Sequence, residues 1–119
     1  MDLSRGDIFW IEPDAIWGAV PSVRHPHVIV QEDVFNRSRV HTVVVCALTT
    51  NLRRASEPGN VLLHAGEGNL PRQSVVLVAQ VSSVLKAHLG ELIGALSEAR
   101  VVQILDGLKF QQTSFFGQS

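Results

Sequence analysis

Residues 24–31, RHPHVIVQ, and residues 43–51, VVVCALTTN, decide the fold predicted for this chain. Each stretch is an apolar run of strand length, rich in β-branched residues, with a polar cluster at one end. The first stretch begins with Arg and His, and the second ends with two Thr and Asn. If the two strands pair antiparallel, these ends meet. Cationic, imidazole and hydroxyl groups would then converge in a way that suits a phosphodiester.

Length and composition predict one globular domain spanning residues 1–119. A hydrophobic content of 45% argues against disorder, and a charged content of 18% favours association with a partner, most simply a second copy of the chain. No apolar run reaches the roughly 18 residues of a membrane span. Residues 1–5 do not resemble a signal peptide and the chain has one cysteine, so we expect a cytoplasmic protein.

Charge is unevenly distributed along the chain, although the net charge is only −1. Residues 1–14 hold four carboxylates against one Arg, whereas residues 15–56 hold five Arg against two carboxylates. A basic region on a nearly neutral chain fits a short, single-stranded nucleic acid better than a long duplex. The alternative is an ordinary solvated loop surface.

The remaining pattern predicts a mainly β protein with one C-terminal helix. Ser97 is a plausible helix N-cap, followed by an apolar stripe of helical period to about residue 112. Many short strands at close spacing and one helix predict a small, strongly bent β-barrel with the helix packed on it. The predicted strands are residues 7–12, 26–31, 42–48, 61–64 and 74–84, the last being one bent strand or two, with long loops at 13–25 and 49–59.

The polar start of the second predicted strand contains Arg24 and His25 directly before Pro26. Proline favours an extended conformation in the residue that precedes it, which holds His25 at the strand entrance. Because strand side chains alternate, His25 and His27 share one face and Arg24 lies on the other. Histidine can transfer protons and arginine can bind phosphate. Alternatively, Arg24 pairs with a carboxylate and both histidines are ordinary surface residues.

The polar end of the third predicted strand, Thr49, Thr50 and Asn51, can hold phosphate oxygens or base edges. Alternatively, these residues start a turn. The chain has five His but no Cys pair, no His-Glu-x-x-His motif and no spacing typical of two His with one carboxylate, so we predict no metal and no cofactor. Cys46 lies inside an apolar strand and is predicted to be a core residue, not a nucleophile.

The order and spacing of several segments resemble the MazF/PemK family, the mRNA-cleaving toxins of bacterial type II toxin–antitoxin pairs. Residues 5–10, RGDIFW, are similar to the family's opening RGDI-x-W, and residues 26–31, PHVIVQ, to its RP-x-x-VI strand. Residues 45–49, VCALT, resemble its third strand, and residues 69–76, NLPRQSVV, with Gln80 and Val81 resemble its later segments. Each motif is weak alone, but their shared order extends over nearly the whole chain.

The resemblance implies a CcdB/PemK-like barrel, a homodimer and a small acidic antitoxin protein as partner. It also implies metal-free cleavage of single-stranded RNA, in which the 2′-hydroxyl attacks the adjacent phosphate and leaves a 2′,3′-cyclic phosphate and a 5′-hydroxyl. The family places Arg directly before the strand-two Pro and Ser or Thr at the end of strand three. Thr49 matches the second position, whereas His25 stands at the first and Arg24 lies one residue earlier.

The resemblance therefore predicts a catalytic set of His25 as acid or base, Thr49 as a ligand of a phosphate oxygen and Arg24 as an assisting cation. Because a one-residue offset turns a strand side chain to the opposite face, the role of Arg24 depends on register. Further residues are predicted to contact RNA through stacking, phosphate contacts or base edges. They are Trp17, Thr50, Asn51, Arg53, Arg54, Arg72, Ser74 and Gln80.

Two alternative functions share the same fold. One is a non-cleaving relative that binds the antitoxin or RNA, because the Arg is displaced. The other is a gyrase-targeting, CcdB-like toxin. The gyrase-targeting type is expected to rely on C-terminal apolar and Trp residues, and residues 113–119, TSFFGQS, contain no Trp. The endoribonuclease is therefore the favoured prediction.

Overall fold

An antiparallel sheet of six strands is the centre of the fold in a computed structural model that describes residues 2–12 and 24–112. The strands are β1 (Asp7–Ile11), β2 (His25–Ile29), β3 (Thr42–Thr49), β4 (Val61–Leu63), β5 (Ser74–Leu85) and β6 (Leu89–Ala95), and the helices are α1 (Asp33–Asn36) and α2 (Glu98–Gln111). In space the strands follow the order β4-β5-β3-β2-β1-β6. The first strand is therefore flanked by the second and the last.

The predicted fold class, mainly β with a C-terminal helix, is confirmed. The five predicted strands correspond to β1–β5 with ends that differ by at most two residues, and Ser97 caps α2 as predicted. The predicted closure into a barrel is not confirmed, because within the described ranges β4 and β6 each pair along one edge only. Strand β6 and the one-turn helix α1 have no counterpart among the predicted elements.

Apolar side chains fill both faces of the sheet, because successive residues of a strand point to opposite sides. The face that packs against α2, here called the α2 face, includes Ile8, Val28, Cys46, Leu48 and the helix residue Ile104. The opposite face includes Phe9, Ile11, Ile29, Val45 and Val84. Cys46 is fully buried, which confirms its prediction as a core residue.

Strand β5 is a single bent strand, which is one of the two forms predicted for residues 74–84. Its pairing with β3 shifts between Cys46↔Val81 and Ala47↔Leu77, so residues 78–80 have no partner on β3. The Val78 N–H donates instead to Oδ1 of Asn60 at 3.1 Å. A bulge of this kind bends a strand and increases its twist. The first part of β5 can therefore pair with β4 on its other edge while the later part continues along β3.

Helix α2 is capped at its first turn and is held against the rest of the fold at two further positions. The Ser97 hydroxyl accepts the Arg100 N–H at 3.3 Å and satisfies a free donor of the first turn. The Arg100 guanidinium donates to both carboxylate oxygens of Glu67, at 2.8 and 2.9 Å, which ties the helix to the turn between β4 and β5. Further along, Gly107 lies directly against the carbonyl oxygen of Gly59. None of the described helices is long and apolar enough to cross a membrane.

Candidate active site

The start of β2 and the end of β3 meet in the sheet, as the two opening stretches of sequence predict. The strands pair antiparallel with the register His27↔Ala47, Val28↔Cys46 and Ile29↔Val45. The pairing between the two strands ends at His27↔Ala47, and the same register extended by two residues would place His25 opposite Thr49. Residues directly opposite in an antiparallel pair have side chains on the same face. An imidazole and a hydroxyl therefore share one side of the sheet at this edge.

Thr49 is half-buried and takes part in the turn that follows β3. Its Oγ1 accepts the Asn51 N–H at 3.2 Å, and Asn51 Oδ1 in turn accepts the Arg53 N–H at 3.3 Å. The alternative prediction of a turn at these residues is thus realised in the short 3-10 turn Leu52–Ser56. A hydroxyl that accepts one hydrogen bond still has its own proton to donate. The Thr49 hydroxyl therefore remains a potential donor to an anionic oxygen.

His25 and His27 lie on the same face of β2, two residues apart. His25 is exposed, whereas only 5% of His27 is exposed, between Phe9 on β1 and Ala47 on β3. The His27 Nδ1 lies 3.1 Å from the carbonyl oxygen of His25. Burial lowers the pKa of His27 below the ordinary histidine value; its hydrogen bond to the carbonyl acts in the opposite direction, and the neighbouring His25 charge lowers the pKa further. His27 is therefore a neutral imidazole at physiological pH.

Among the described residues, Arg24 packs on an aromatic ring and not on a carboxylate. Its guanidinium carbon lies 4.7 Å from the centroid of the Trp10 ring. Trp10 pairs with Pro26, so this ring belongs to the face opposite His25 and His27. An exposed cation–π contact of this kind contributes about 0.5–1 kcal/mol. The structure thus puts Arg24 on the opposite side of the sheet from His25 and His27, and strand alternation assigns Thr49 to the same face as the two histidines.

Of the residues predicted to contact RNA, most lie exposed near the ends of β3 and β5. Thr50, Asn51, Arg53 and Arg72 are exposed, and Gln80 is exposed within the bulge of β5. Ser74 does not fit the predicted contact, because it is 3% exposed and its hydroxyl donates to the Arg72 carbonyl at 3.1 Å. Pairing with Leu63 of β4 places it inside the sheet. Trp17 lies outside the described residues.

Arg54 differs from Arg53 in that its charge already has a partner. Its Nε lies 3.1 Å from a carboxylate oxygen of Glu57, and its Nη2 donates to the other oxygen at 3.1 Å. This ion pair lowers the pKa of Glu57. Arg53 makes no comparable pair with any residue that the structure describes, so it is the stronger candidate of the two for a phosphate contact.

His27 is the residue near the site that the predicted catalytic set lacks. The period-two alternation of β2 already places it beside His25, so the signal was present in the sequence. Its burial depends on the β1 and β3 partners and could not be read from β2 alone. In the described part of the chain, no three His, Cys, Asp or Glu residues lie together as metal ligands would.

The fold is the one found in solved structures of MazF-type toxins. Among solved structures, an endoribonuclease from mycobacterial species has a TM-score of 0.72 and 21% identity, with 92% of this chain and 90% of that chain covered. MazF of Deinococcus radiodurans has a TM-score of 0.75 and 17% identity, covering 95% and 98%. An endoribonuclease in complex with its cognate antitoxin, also mycobacterial, gives 0.69 and 20%, covering 92% and 91%. At these identities the likeness shows the fold.

Sequence comparison establishes the family. Residues 4–111 match the model of the PemK-like, MazF-like toxins of type II toxin–antitoxin systems. Endoribonuclease MazF6 of Mycobacterium tuberculosis is 34% identical over 109 residues, with 92% of this chain and 96% of the relative covered. Endoribonuclease EndoA of Bacillus subtilis is 26% identical, covering 92% and 93%. This chain therefore belongs to the PemK-like, MazF-like toxins, in agreement with the resemblance seen in its sequence.

Proposed function

We propose that this protein is the toxin of a type II toxin–antitoxin system and an endoribonuclease that cleaves single-stranded RNA. The observation that carries the proposal is the β2–β3 register, which leads His25 to a position opposite Thr49 in a chain of the MazF-like family. The relatives named MazF6 and EndoA are endoribonucleases by name. An imidazole beside a hydroxyl at a strand edge suits proton transfer at a phosphodiester.

The proposed reaction is attack of the 2′-hydroxyl on the adjacent phosphorus, with departure of the 5′-oxygen and no metal ion. His25 transfers a proton at the reacting phosphate, and the Thr49 hydroxyl donates to a non-bridging phosphate oxygen as negative charge develops there. The Thr49 proton is free for this role because its oxygen acts as an acceptor in the turn. Arg24, across the sheet on the Trp10 ring, binds RNA at a distance from the reacting atoms.

A path for the RNA strand extends from this edge over the exposed polar residues around it. Arg53 and Arg72 supply positive charge for backbone phosphates, with no preference for sequence. Thr50, Asn51 and Gln80 supply hydroxyl and amide groups for unstacked bases. Arg54 contributes less, because its charge is already compensated by Glu57.

The proposed protein partner is a small acidic antitoxin. A solved relative is described in complex with its cognate antitoxin, and another solved structure is MazE-MazF from Deinococcus radiodurans. An acidic, disordered segment would be attracted to the same basic edge that the RNA uses. Antitoxin binding and RNA binding are therefore expected to compete.

The test is cleavage of a long, mixed-sequence RNA by the purified protein in EDTA. We expect His25→Ala to lower the rate by about 10²–10⁴-fold, the usual contribution of a proton-transferring group. Thr49→Val should lower it by about 10–100-fold, as for a hydrogen bond to a charged oxygen. His41→Ala and Thr42→Val are the matched controls, because the first is another exposed histidine and the second lies at the far end of β3.

A second candidate function is a non-cleaving toxin-fold protein that only binds. The position of Arg24 on Trp10 favours this alternative, because Arg24 then supplies no permanently charged phosphate ligand on the His25 face. Intact RNA across several sequences, together with retained RNA or antitoxin binding, would establish it. A third outcome would exchange the catalytic assignment between Arg24 and His25. In that outcome the wild type cleaves RNA, the Arg24→Ala variant has no activity and the His25→Ala variant keeps full activity.

A further inference from the structure

We infer that His27 is the general base of the cleavage reaction, taking the proton from the attacking 2′-hydroxyl while His25 supplies the proton to the leaving oxygen. This inference deepens the proposed function and rests on it. It adds a catalytic residue that stands next to Pro26 in β2 and is covered by neighbours on both sides.

The position of His27 relative to the site follows from strand geometry. His25 and His27 are two residues apart on one face, so their Cα atoms are separated by about 7 Å. That separation is enough to place one imidazole on each side of a phosphorus atom. Thr49 lies on the same face, opposite His25 in the continued register. The three side chains can therefore surround one phosphate.

The ring of His27 is held in one orientation by a hydrogen bond. A carbonyl oxygen can only accept, so the contact between Nδ1 and the His25 carbonyl at 3.1 Å requires the proton to be on Nδ1. Nε2 then carries the lone pair. Among the described residues Nε2 has no hydrogen-bond partner, and it is not counted with the fully buried, unsatisfied side-chain atoms, so it is not completely enclosed. A lone pair that is fixed in direction and not completely enclosed is the form a general base needs.

The surroundings of His27 keep it neutral. Its neighbours on the same face are Phe9 and Ile11 from β1 and Ala47 and Thr49 from β3, none of them charged near neutral pH. Within residues 2–12 and 24–112, His25 is the titratable group that acts on it electrostatically. Burial, opposed by the carbonyl bond, lowers the pKa of His27. The imidazole therefore remains ready to accept a proton below the pH at which an exposed histidine would already be charged.

The protons and bonds balance in a single displacement. The 2′-hydroxyl proton moves to Nε2 of His27 as the bond from O2′ to phosphorus forms. The bond from phosphorus to O5′ breaks, and O5′ takes a proton from the His25 imidazolium. The products are a 2′,3′-cyclic phosphate and a 5′-hydroxyl, and exchange with water then restores both histidines to their starting states.

The test compares His27→Asn with wild type and with the control His41→Asn, using kcat/KM for RNA across pH in EDTA. Asparagine keeps an amide donor near the Nδ1 position but has no group equivalent to Nε2. We expect His27→Asn to lower kcat/KM by about 10²–10⁴-fold. In the wild-type pH profile, kcat/KM is expected to rise with pH through the pKa of His27. We expect His27→Asn to remove this acidic limb of the profile. Thermal melting of both variants establishes that they are folded, and His27→Gln serves as a second replacement if the first is not.

A second measurement does not depend on turnover. Wild-type protein with ¹³C-labelled histidine is titrated with a 2′-O-methyl RNA of mixed sequence, which cannot be cleaved. Both the His25 and the His27 Cε1 signals are expected to shift. An unchanged His27 signal at saturation, or a folded His27→Asn variant with the wild-type rate and pH profile, overturns the assignment of His27 alone. Failure of wild type itself to cleave any RNA overturns the proposed function and this inference together.

Discussion

Arg24 and His25 are neighbours in the chain whose side chains leave opposite faces of the sheet. Arg24 lies on the Trp10 ring, and His25 lies on the face that carries His27 and Thr49. A permanent cation and a titratable ring, adjacent in the chain, thus lie on opposite faces of the sheet. The consequence for the proposed chemistry is that proton transfer, and not a fixed positive charge, becomes the main contribution at the phosphate.

Cys46 gives a prediction that can be checked at a single atom. Burial raises the pKa of its thiol to about 12, so the reactive thiolate is almost absent at pH 8. We expect an aromatic disulfide reagent to leave the folded protein unlabelled at pH 8 and to label one thiol after addition of denaturant. Because the folded pKa is raised, the thiol stabilises the fold below its ordinary pKa, and this contribution is lost as pH rises toward 12. Fast labelling of the native protein would show that the β3 core is open.

Single-residue predictions succeeded where strand alternation alone determined them. The separation of Arg24 from His25 and the shared face of His25 and His27 follow from a period of two. The contact of Arg24 with Trp10 could not be predicted, because it depends on the register between β1 and β2. Ser74 failed for the same kind of reason, since its burial arises from pairing of β5 with β4.

At the scale of elements, β6 is the strand that was not predicted from the sequence. Its sequence, LGELIGA, contains two glycines, which weaken the strand pattern. A side chain at Gly94 would collide with the backbone of Gly68 in the turn between β4 and β5. Glycine is therefore required at position 94 by a contact with a residue distant in sequence. Because glycine is uncommon inside strands, it also weakens the strand pattern by which β6 could have been predicted. The helix α1 was missed because its four residues are too few to show a helical period.

Helix α2 carries a stability prediction at Gly107. Alanine is the better helix former by about 1 kcal/mol, yet its methyl group would meet the Gly59 carbonyl oxygen and approach Val78 Cγ1 at 3.1 Å. We expect Gly107→Ala to lower the free energy of unfolding by about 1–3 kcal/mol in urea denaturation, because overpacking displaces the helix. The exposed neighbour Asp106→Ala is the control and should change it by less than about 0.5 kcal/mol. A stabilised Gly107→Ala protein would mean that α2 can shift away from the sheet freely.

For the whole molecule, order and spacing of motifs along the chain were enough to predict the family and the mainly β architecture with its final helix. Closure into a barrel was not predictable, because it depends on how far the bulge at residues 78–80 bends β5 and on what each free edge meets. The predicted association also remains a prediction. Large apolar side chains are exposed on and just after α1 and at the end of β5 (Val34, Phe35, Val40, Leu85), on β4 and α2 (Leu62, Val102, Phe110), and singly at Leu52 and Leu92.

These exposed groups predict a homodimer in solution. We expect light scattering after size exclusion to give twice the 13.0 kDa mass of one chain. The reason is that exposed apolar side chains are buried when two copies of the chain associate. Phe110→Glu and Phe35→Glu place a charge in one group each. One of these variants should return the protein to a monomer while the other stays dimeric and serves as its control. A wild-type mass of 13.0 kDa across micromolar concentrations would contradict the prediction.

Because β1 pairs with β6, residues as far apart as Asp7 and Ala95 must meet before the sheet is complete. A ribosome makes β1 long before β6, so one edge of β1 stays open during most of translation. Contacts between such distant residues form slowly, since closing a long loop costs entropy. A chain released before residue 89 leaves Phe9 and Ile11 without their β6 partners. We therefore expect aborted synthesis to yield an unfolded chain that is open to proteolysis, and not a partly active toxin.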